Sequence, residues 1–450
     1  MKIHFIGIGG ISMSGLANVC LNLNYTVSGS DVQNSPLVED LKSKGALINL
    51  EQKADNITKD IDLIVYTAAI HPDNPEWIAA NDSGIRMMTR SEFLGMVMSK
   101  YSNSIAISGT HGKTSTTSMI SVIYSNLSMD PTILVGGNLQ DINGNYRIGN
   151  SSNFITEACE YCDSFLDLFP TFALILNIEA DHLDYFKDLD HIISSFHRFS
   201  LNVKQNGYVI ANGDDENVRL ATRDIENTVY FGMEEGNDAV IRSIRFNEQG
   251  QATFSLDFRG KLMGPFELHV PGSHNIFNAS AAIMTAILNG LEEEDVKRGI
   301  SLYKGVGRRF EYKGTYHGAS VYDDYAHHPS EIKATLSASR YLNANKVVSI
   351  FQPHTYSRTR ELLSDFASSF SDADVIIITD IYASREVDDG LVSSKQLVDK
   401  IVENGKEALY FQNSDEIESY LRSFIGNNDV IFTIGAGDVY KVGEYLTSKI

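Results

Sequence analysis

The chain has 450 residues, room for two to four domains at the usual span of roughly 100–200 residues each. Hydrophobic residues make up 43%, too many for a disordered chain and enough for packed cores. Lys plus Arg number 37 and Asp plus Glu 58, so the net charge is 37 − 58 = −21. Such a surface repels nucleic acid, and any phosphate the protein binds must be held locally by helix N-termini, glycine loops or metal ions.

The chain opens with MKIHFIGIGG, an apolar run too short for a signal-peptide core. No stretch reaches the ~18 consecutive apolar residues of a membrane span, so a cytoplasmic protein with no membrane contact is expected. Residues 3–8 read as a strand ending in glycines, followed by a helical pattern through Leu16 and Leu21 and a strand at 26–29. Further apolar strands fall at 62–66 and near Ile85, with helices between. This alternation predicts a parallel sheet covered on both faces, closing near Lys100. The loop Gly7-Ile8-Gly9-Gly10-Ile11-Ser12 stands where a dinucleotide fingerprint belongs, with Ser12 in place of its third glycine. Asp31 ends the next strand, where an acid often holds a ribose. An NAD site and a nucleotide-diphosphate site both fit.

A second unit opens with the strand 104–108. Gly109-Thr110-His111-Gly112-Lys113-Thr114-Ser115 follows, then a helix from Lys113 to Asn126. Backbone N–H groups and the positive end of the helix dipole face a phosphate in such a loop. Lys113 offers a mobile cation, and the Thr114 hydroxyl can ligate Mg²⁺. The spacing departs from the standard phosphate loop, which would need a glycine at Ile107; a tight turn with a chance Lys-Thr is the plain alternative. Strands are expected at 154–157 and 172–178. Between them, Cys159 and Cys162 form a lone C-x-x-C, half of a zinc site; with Cys20 they suit reduced thiols in a reducing compartment. Glu157, Glu160 and the run Asn177-Ile178-Glu179-Ala180-Asp181-His182 sit at strand ends, where ligands bind in open α/β sheets. These carboxylates and His182 can hold Mg²⁺; an ordinary loop histidine is the alternative for His182.

Short alternating segments over 228–270 predict a small antiparallel patch, and an alanine-rich helix spans 275–288, with Asn275 and Asn278 as helix caps or ligand contacts. The second unit ends near 304. Beyond it, strands at 346–352, 375–382, 407–411 and 429–434 alternate with helices in a third α/β unit. Its loops carry Gly305-Val306-Gly307-Arg308-Arg309-Phe310, Asp323-Asp324-Tyr325-Ala326-His327-His328-Pro329, and Gln352-Pro353-His354-Thr355-Tyr356-Ser357-Arg358. The arginine forks suit carboxylates and phosphates. Gly435-Ala436-Gly437-Asp438 reads as a strand-to-helix turn.

In order and spacing, HFIGIGG-x-x-MSG, GTHGKT, NIEADH, GSHNIFNA, GVGRRFE, DDYAHHP, FQPH-x-Y-x-RT and GAGD resemble the Mur ligases over the whole chain. The GIGG-x-x-MSG start and DDYAHHP point to the alanine-adding branch. The resemblance implies three α/β domains: a Rossmann-like domain over 1–100 for the UDP-sugar, a P-loop ATPase-like domain with a mostly parallel sheet over 101–304 for ATP, and a Rossmann-like domain over 305–450 for the amino acid. It implies ATP- and Mg²⁺-dependent joining of L-alanine to UDP-N-acetylmuramate through an acyl phosphate, in peptidoglycan precursor synthesis. Phosphoryl transfer of this kind rests on positioning and charge neutralisation.

By the same resemblance, Lys113 contacts the β- and γ-phosphates, and Thr114, Glu157 and His182 bind metal. His111 faces the muramoyl side as well as ATP. His274 and Asn278 face the adenine, Arg308 reaches ATP, and Asp324 closes on the nucleotide. Tyr325, His327 and Arg358 serve the amino acid, with Arg358 on its carboxylate. Gly9, Gly10, Ser30, Asp31 and Arg90 serve the UDP-sugar. Two departures stand out: Ser12 replaces a glycine, and Thr355 replaces an arginine. The stretch Ser194–Phe199 lacks the carbamylated lysine of several relatives, which fits the alanine-adding branch. A recycling ligase that joins a tripeptide to the same sugar nucleotide is the nearest alternative. An NAD-dependent oxidoreductase leaves GTHGKT unexplained, and a non-catalytic nucleotide binder would show no phosphate release.

Overall fold

The computed structural model describes residues 1–139, 142, 144–384 and 386–449. The chain falls into two compact units, Met1–Ile178 with Asp190–Tyr230, and Glu179–Leu189 with Phe231–Ile450. Among the described residues no helix is long and apolar enough to cross a membrane.

The first unit begins with strands β1 (Lys2–Ile6), β2 (Thr26–Ser30), β3 (Leu47–Asn49), β4 (Leu63–Tyr66) and β5 (Met87–Thr89). They form one sheet in the order β3-β2-β1-β4-β5, parallel throughout. The order reverses at β1, so the glycine loop after β1 opens at a topological switch point, where ligands bind. Strands β6 (Asn103–Ser108), β7 (Thr132–Leu139), β8 (Gly144–Arg147), β9 (Asn153–Glu157), β10 (Phe172–Ile175), β11 (Tyr208–Asn212) and β12 (Thr228–Gly232) continue the chain. Here β11-β10-β6-β9-β7 are parallel neighbours, and β7 turns back on β8 as an antiparallel pair. Strand β10 stops at Ile175, three residues short of the apolar run, because Asn177 and Ile178 leave the ladder for the loops beside β6 and β11.

In the second unit, Phe231 and Gly232 pair in parallel with Ala239 and Val240 of β13 (Ala239–Phe246). Strands β14 (Gln251–Phe258) and β15 (Lys261–Pro271) complete the expected antiparallel patch. The alanine-rich helix runs from His274 to Leu288. Asn275 and Asn278 lie inside it, so neither is its cap; Asn275 donates to the Pro271 carbonyl, and Asn278 donates to Asn275.

The C-terminal sheet comprises β16 (Glu311–Tyr316), β17 (Ala319–Asp324), β18 (Val347–Phe351), β19 (Val375–Ile378), β20 (Ala408–Tyr410) and β21 (Val430–Ile434), in the order β16-β17-β21-β18-β19-β20. All pairs but β16–β17 are parallel. Alternate residues feed two cores. Val347, Phe351, Ile376, Ile378, Phe432 and Ile434 pack on one face, and Val348, Ile350, Ile377 and Ile431 on the other. This double coverage explains the unbroken apolar runs in the sequence. It also brings the ends of β17, β18 and β21, and the motif loops after them, to one edge of the sheet.

Under the first glycine loop lies a sealed polar network. Glu76 is fully buried and accepts from His4 Nε2 at 2.7 Å, from Ser30 Oγ at 2.5 Å and from Asn56 Nδ2 at 3.1 Å; His4 Nδ1 meets Ser28 Oγ at 2.9 Å. Removing one member leaves buried partners unsatisfied, which typically costs about 3–5 kcal/mol. Glu76→Ala should therefore lower the urea midpoint of the N-terminal domain markedly. The fluorescence of Trp77, the chain's single tryptophan and the next residue, reads that transition. An unchanged midpoint would remove the network from any role in stability.

Candidate functional site

In the first unit two glycine loops lead from a strand end into a helix N-terminus. In the N-terminal one, the Gly7 and Ile8 amides donate to the Ser30 carbonyl, both at 2.9 Å, and fasten β1 to the end of β2. The Gly9 amide donates to Asp31 Oδ2 at 2.8 Å, so Asp31 braces the turn. Ser12, the residue in place of a glycine, accepts from Arg90 Nη1 at 3.2 Å. Gly9, Gly10, Asp31 and Arg90 thus gather at the N-terminus of the helix Ile11–Asn22, whose N-cap Gly10 offers its first-turn amides no side-chain acceptor. Ser30 is the exception, since its hydroxyl is buried and bonded to Glu76.

The second loop joins β6 to the helix Lys113–Asn126. Gly112 is the helix N-cap in the left-handed region, φ 82°, a conformation that suits glycine. Asn177 locks this loop from outside. Its Oδ1 accepts from the His111 amide at 2.7 Å, its Nδ2 donates to the His111 carbonyl, and its own carbonyl accepts from Thr110. Thr114 and Ser115 stand half-buried in the first turn.

Lys113 Nζ donates to the carbonyl of Thr110 and to both oxygens of Glu160, at 3.1 and 2.9 Å. Burial alone would pull the ammonium's pKa down. Glu160, followed by Cys159 and Glu157, more than reverses this and pushes it up to about 12. Glu157 ends β9 beside Ile107 of β6 and accepts from the Gly136 amide at 2.7 Å. A Cβ on Gly136 would stand 2.8 Å from that carboxylate, so only glycine leaves Glu157 its place. Lys113, Glu157 and Glu160 therefore stand together beside the loop. Glu160, only 3% exposed, is the less accessible of the two carboxylates.

In the second unit, Arg358 is the centre of a charged cluster. Its Nε and Nη2 reach Asp181 Oδ1 at 3.1 and 2.9 Å, and Nη1 donates to the His354 carbonyl at 3.1 Å. Burial works to raise the Asp181 carboxyl, but Arg358 and the nearby His182, His327 and His328 overcome it and hold it far below the usual carboxylate range. The His182 amide donates to Asp181 Oδ1 at 2.8 Å, with His182 in the left-handed region at φ 53°. His327 lies 5.9 Å from the His354 ring and 5.6 Å from Tyr325, and Tyr382 stacks on His354. Tyr325, His327 and Arg358 are thus brought together, joined by His354, Tyr382 and Asp181.

Arg308 faces inward. It meets Asp323 at 3.0 Å and donates to the carbonyls of Gly435 and Gly437, sandwiched between the rings of Tyr325 and Tyr440. In this arrangement it braces the Gly435–Asp438 turn. Asp324 accepts from the amides of Phe310 and Ala326; burial, opposed by Arg309, pushes its carboxyl up to about 6. His274 stands exposed at the start of its helix, while Asn278 is buried within it.

Among known proteins, three family models match in succession: the catalytic domain of the Mur ligase family over residues 2–102, the Mur ligase middle domain over 107–286, and the Mur ligase glutamate ligase domain over 308–437. A UDP-N-acetylmuramate–L-alanine ligase of Caldanaerobacter subterraneus is 50% identical over 444 residues, which cover 98% of this chain and 96% of that protein. The crystal structure of a UDP-N-acetylmuramate–alanine ligase from Thermotoga maritima matches with a TM-score of 0.83 at 28% identity, covering 100% and 99% of the two chains. A murein peptide ligase from Psychrobacter arcticus matches with 0.72 at 25% identity, covering 100% and 98%. With its three domains matched in order and a relative of half-identical sequence along nearly its whole length, the chain belongs to the Mur ligase family.

Proposed function

We propose that this protein joins L-alanine to the lactyl carboxylate of UDP-N-acetylmuramate, using ATP, as a cytoplasmic step of peptidoglycan precursor synthesis. The full-length likeness to the L-alanine ligase of Caldanaerobacter subterraneus carries the reading. A carboxylate oxygen attacks the γ-phosphorus of ATP, and the bond to ADP breaks. The amine of L-alanine then attacks the acyl carbon, the phosphate leaves, and an amide remains. We assign the UDP-sugar to a domain spanning 1–100, ATP to 101–304 and the amino acid to 305–450.

Lys113 holds the β- and γ-phosphates within the loop Gly109–Thr114 and Ser115, with the amides of the first helical turn, and His111 faces the muramoyl group. His274, Asn278 and Asp324 are assigned to the nucleotide, with Arg308 bracing the Gly435–Asp438 turn, and Gly9, Gly10, Asp31 and Arg90 to the UDP-sugar, with Ser30 serving the buried network beneath the loop. The hydroxyl of Thr114 and the carboxylates of Glu157 and Glu160 supply hard oxygen donors of the kind Mg²⁺ prefers, and His182 is assigned to the same role. Mg²⁺ would lower the repulsion between the attacking carboxylate and the phosphates. Arg358 grips the carboxylate of L-alanine. His327 Nδ1 lies 3.0 Å from the Tyr325 carbonyl, which fixes its proton there and leaves Nε2 as an acceptor for the amine.

With ATP, Mg²⁺ and UDP-N-acetylmuramate, phosphate should appear with L-alanine and not with a tripeptide. Release with the peptide alone would favour a recycling ligase, and release with neither would sink the ligase reading. Lys113→Ala should cut turnover about 10²–10³-fold or more, as for loss of one charge-stabilising donor. Calorimetry should find UDP-sugar binding unchanged in that variant; lost sugar binding would contradict the division of sites.

Burial, aided by Arg358 against the pull of Glu331, lowers the pKa of His327 to about 4; burial, His327 and Arg358 do the same for His354. Unfolded histidine titrates near 6.5. Between these values the unfolded chain binds more protons, so this stability is full above pH 6.5 and is lost as pH falls toward 4. The thermal midpoint of the wild type should fall more steeply across that window than that of His354→Gln. Equal slopes would remove His354 from the account.

A further inference from the structure

We propose that Glu386 is a positioning residue for the amino-acid carboxylate clamp, holding the loop that carries His354 and Arg358 through the hydroxyls of Thr355 and Ser357. The proposal rests on the assignment of Arg358 to the amino acid. Glu386 belongs to the loop after β19 and lies about thirty residues beyond its partners. Its Oε1 accepts from Thr355 Oγ1 at 2.6 Å and from Ser357 Oγ, and its Oε2 accepts from the Ser357 amide at 2.9 Å. That amide opens the first turn of the short helix Tyr356–Glu361, which has no side-chain cap of its own at Thr355. Glu386 therefore supplies from a distant loop the anion that a helix N-terminus favours.

Arg358 is the next residue after Ser357, and its Nη1 bonds the His354 carbonyl at 3.1 Å, so the braced turn and the guanidinium move as one piece. The same loop is pinned twice more: the Tyr382 amide donates to the Pro353 carbonyl at 2.9 Å, and Arg360 meets Asp389 at 3.0 Å. Burial tends to raise the Glu386 carboxyl, but the bonds from Ser357 and Thr355 outweigh it and hold it below its ordinary range, so it is anionic at neutral pH. Thr355 stands where the family resemblance sets an arginine. Its short hydroxyl cannot reach a substrate carboxylate as an arginine can. It acts on substrate through Glu386 and Arg358.

Loss of a hydrogen bond to a charged group predicts an effect of about tenfold. In Glu386→Ala the KM for L-alanine should rise about tenfold while the KM values for ATP and the UDP-sugar stay within about twofold. Thr355→Ala should move the same constant in the same direction, Thr355→Ser should restore it, and the double variant should be no worse than Glu386→Ala alone. An unchanged alanine KM, a common rise in all three constants, or additive effects would overturn the proposal. Hydrogen exchange reads the brace without substrate. The Ser357 amide should exchange about tenfold faster in Glu386→Ala, and unchanged exchange would also overturn it. A wild-type protein that turns over no L-alanine would instead overturn the functional reading, and the exchange result would still judge the brace.

Discussion

The loop Gly109–Thr114 depends on keeping one ammonium charged where water is scarce. A buried lysine ordinarily sheds its proton, because burial penalises the charged form. Lys113 keeps it because Glu160 lies within 3 Å, with Glu157 behind it. Those carboxylates are fixed in turn by the sheet: β9 delivers Glu157 next to β6, and the bare Cα of Gly136 makes room for it. Asn177 closes the loop from the next strand end. A triphosphate bound here, as proposed, would meet a cation already in place and a loop fastened by Asn177, which is the condition for electrostatic preorganisation.

The second unit solves the mirror problem around Arg358. Its guanidinium is matched by Asp181, whose carboxylate stays ionised well into acid. Beside this pair, His327 and His354 stay neutral at pH 7 because burial and Arg358 both oppose a further positive charge. The cluster thus holds one firm cation and two neutral acceptors, an arrangement suited to an amino acid that brings both a carboxylate and an amine. Arg308 shows the opposite economy: its donors serve the Gly435–Asp438 turn, so the turn keeps its shape.

Much of the fold was legible in the sequence because buried parallel strands leave unbroken apolar runs. β6, β18 and β21 and the helix Lys113–Asn126 fall where those runs and the glycine loop put them. Of the hairpins β7–β8 and β16–β17, the strands β8 and β16 escaped because their residues are mostly polar and half-buried or exposed, as in Glu311–Tyr316, and carry no run to read. Motif residues such as Lys113, Tyr325 and Arg358 announced themselves through neighbours in sequence. Glu160, Asn177 and Asp181 stood out as strand-end residues, but their pairings did not: Glu160 lies 47 residues from Lys113, Asn177 lies 66 from His111, and Asp181 lies 177 from Arg358. A hydrogen bond across such a separation leaves no spacing pattern, and only the folded chain reveals it.

The same asymmetry explains how a site can tolerate a substitution such as Thr355. A residue that touches ligand is constrained by the ligand's chemistry, whereas one that steadies such a residue is constrained only by the bond it must make. Glu386 accepts equally from a hydroxyl or an amide. Position 355 therefore needs a donor within reach of that carboxylate, and threonine meets the requirement with a short, stiff side chain that loses little rotamer freedom on folding. What must be kept is the geometry of the Arg358 turn, and more than one side chain at 355 can keep it.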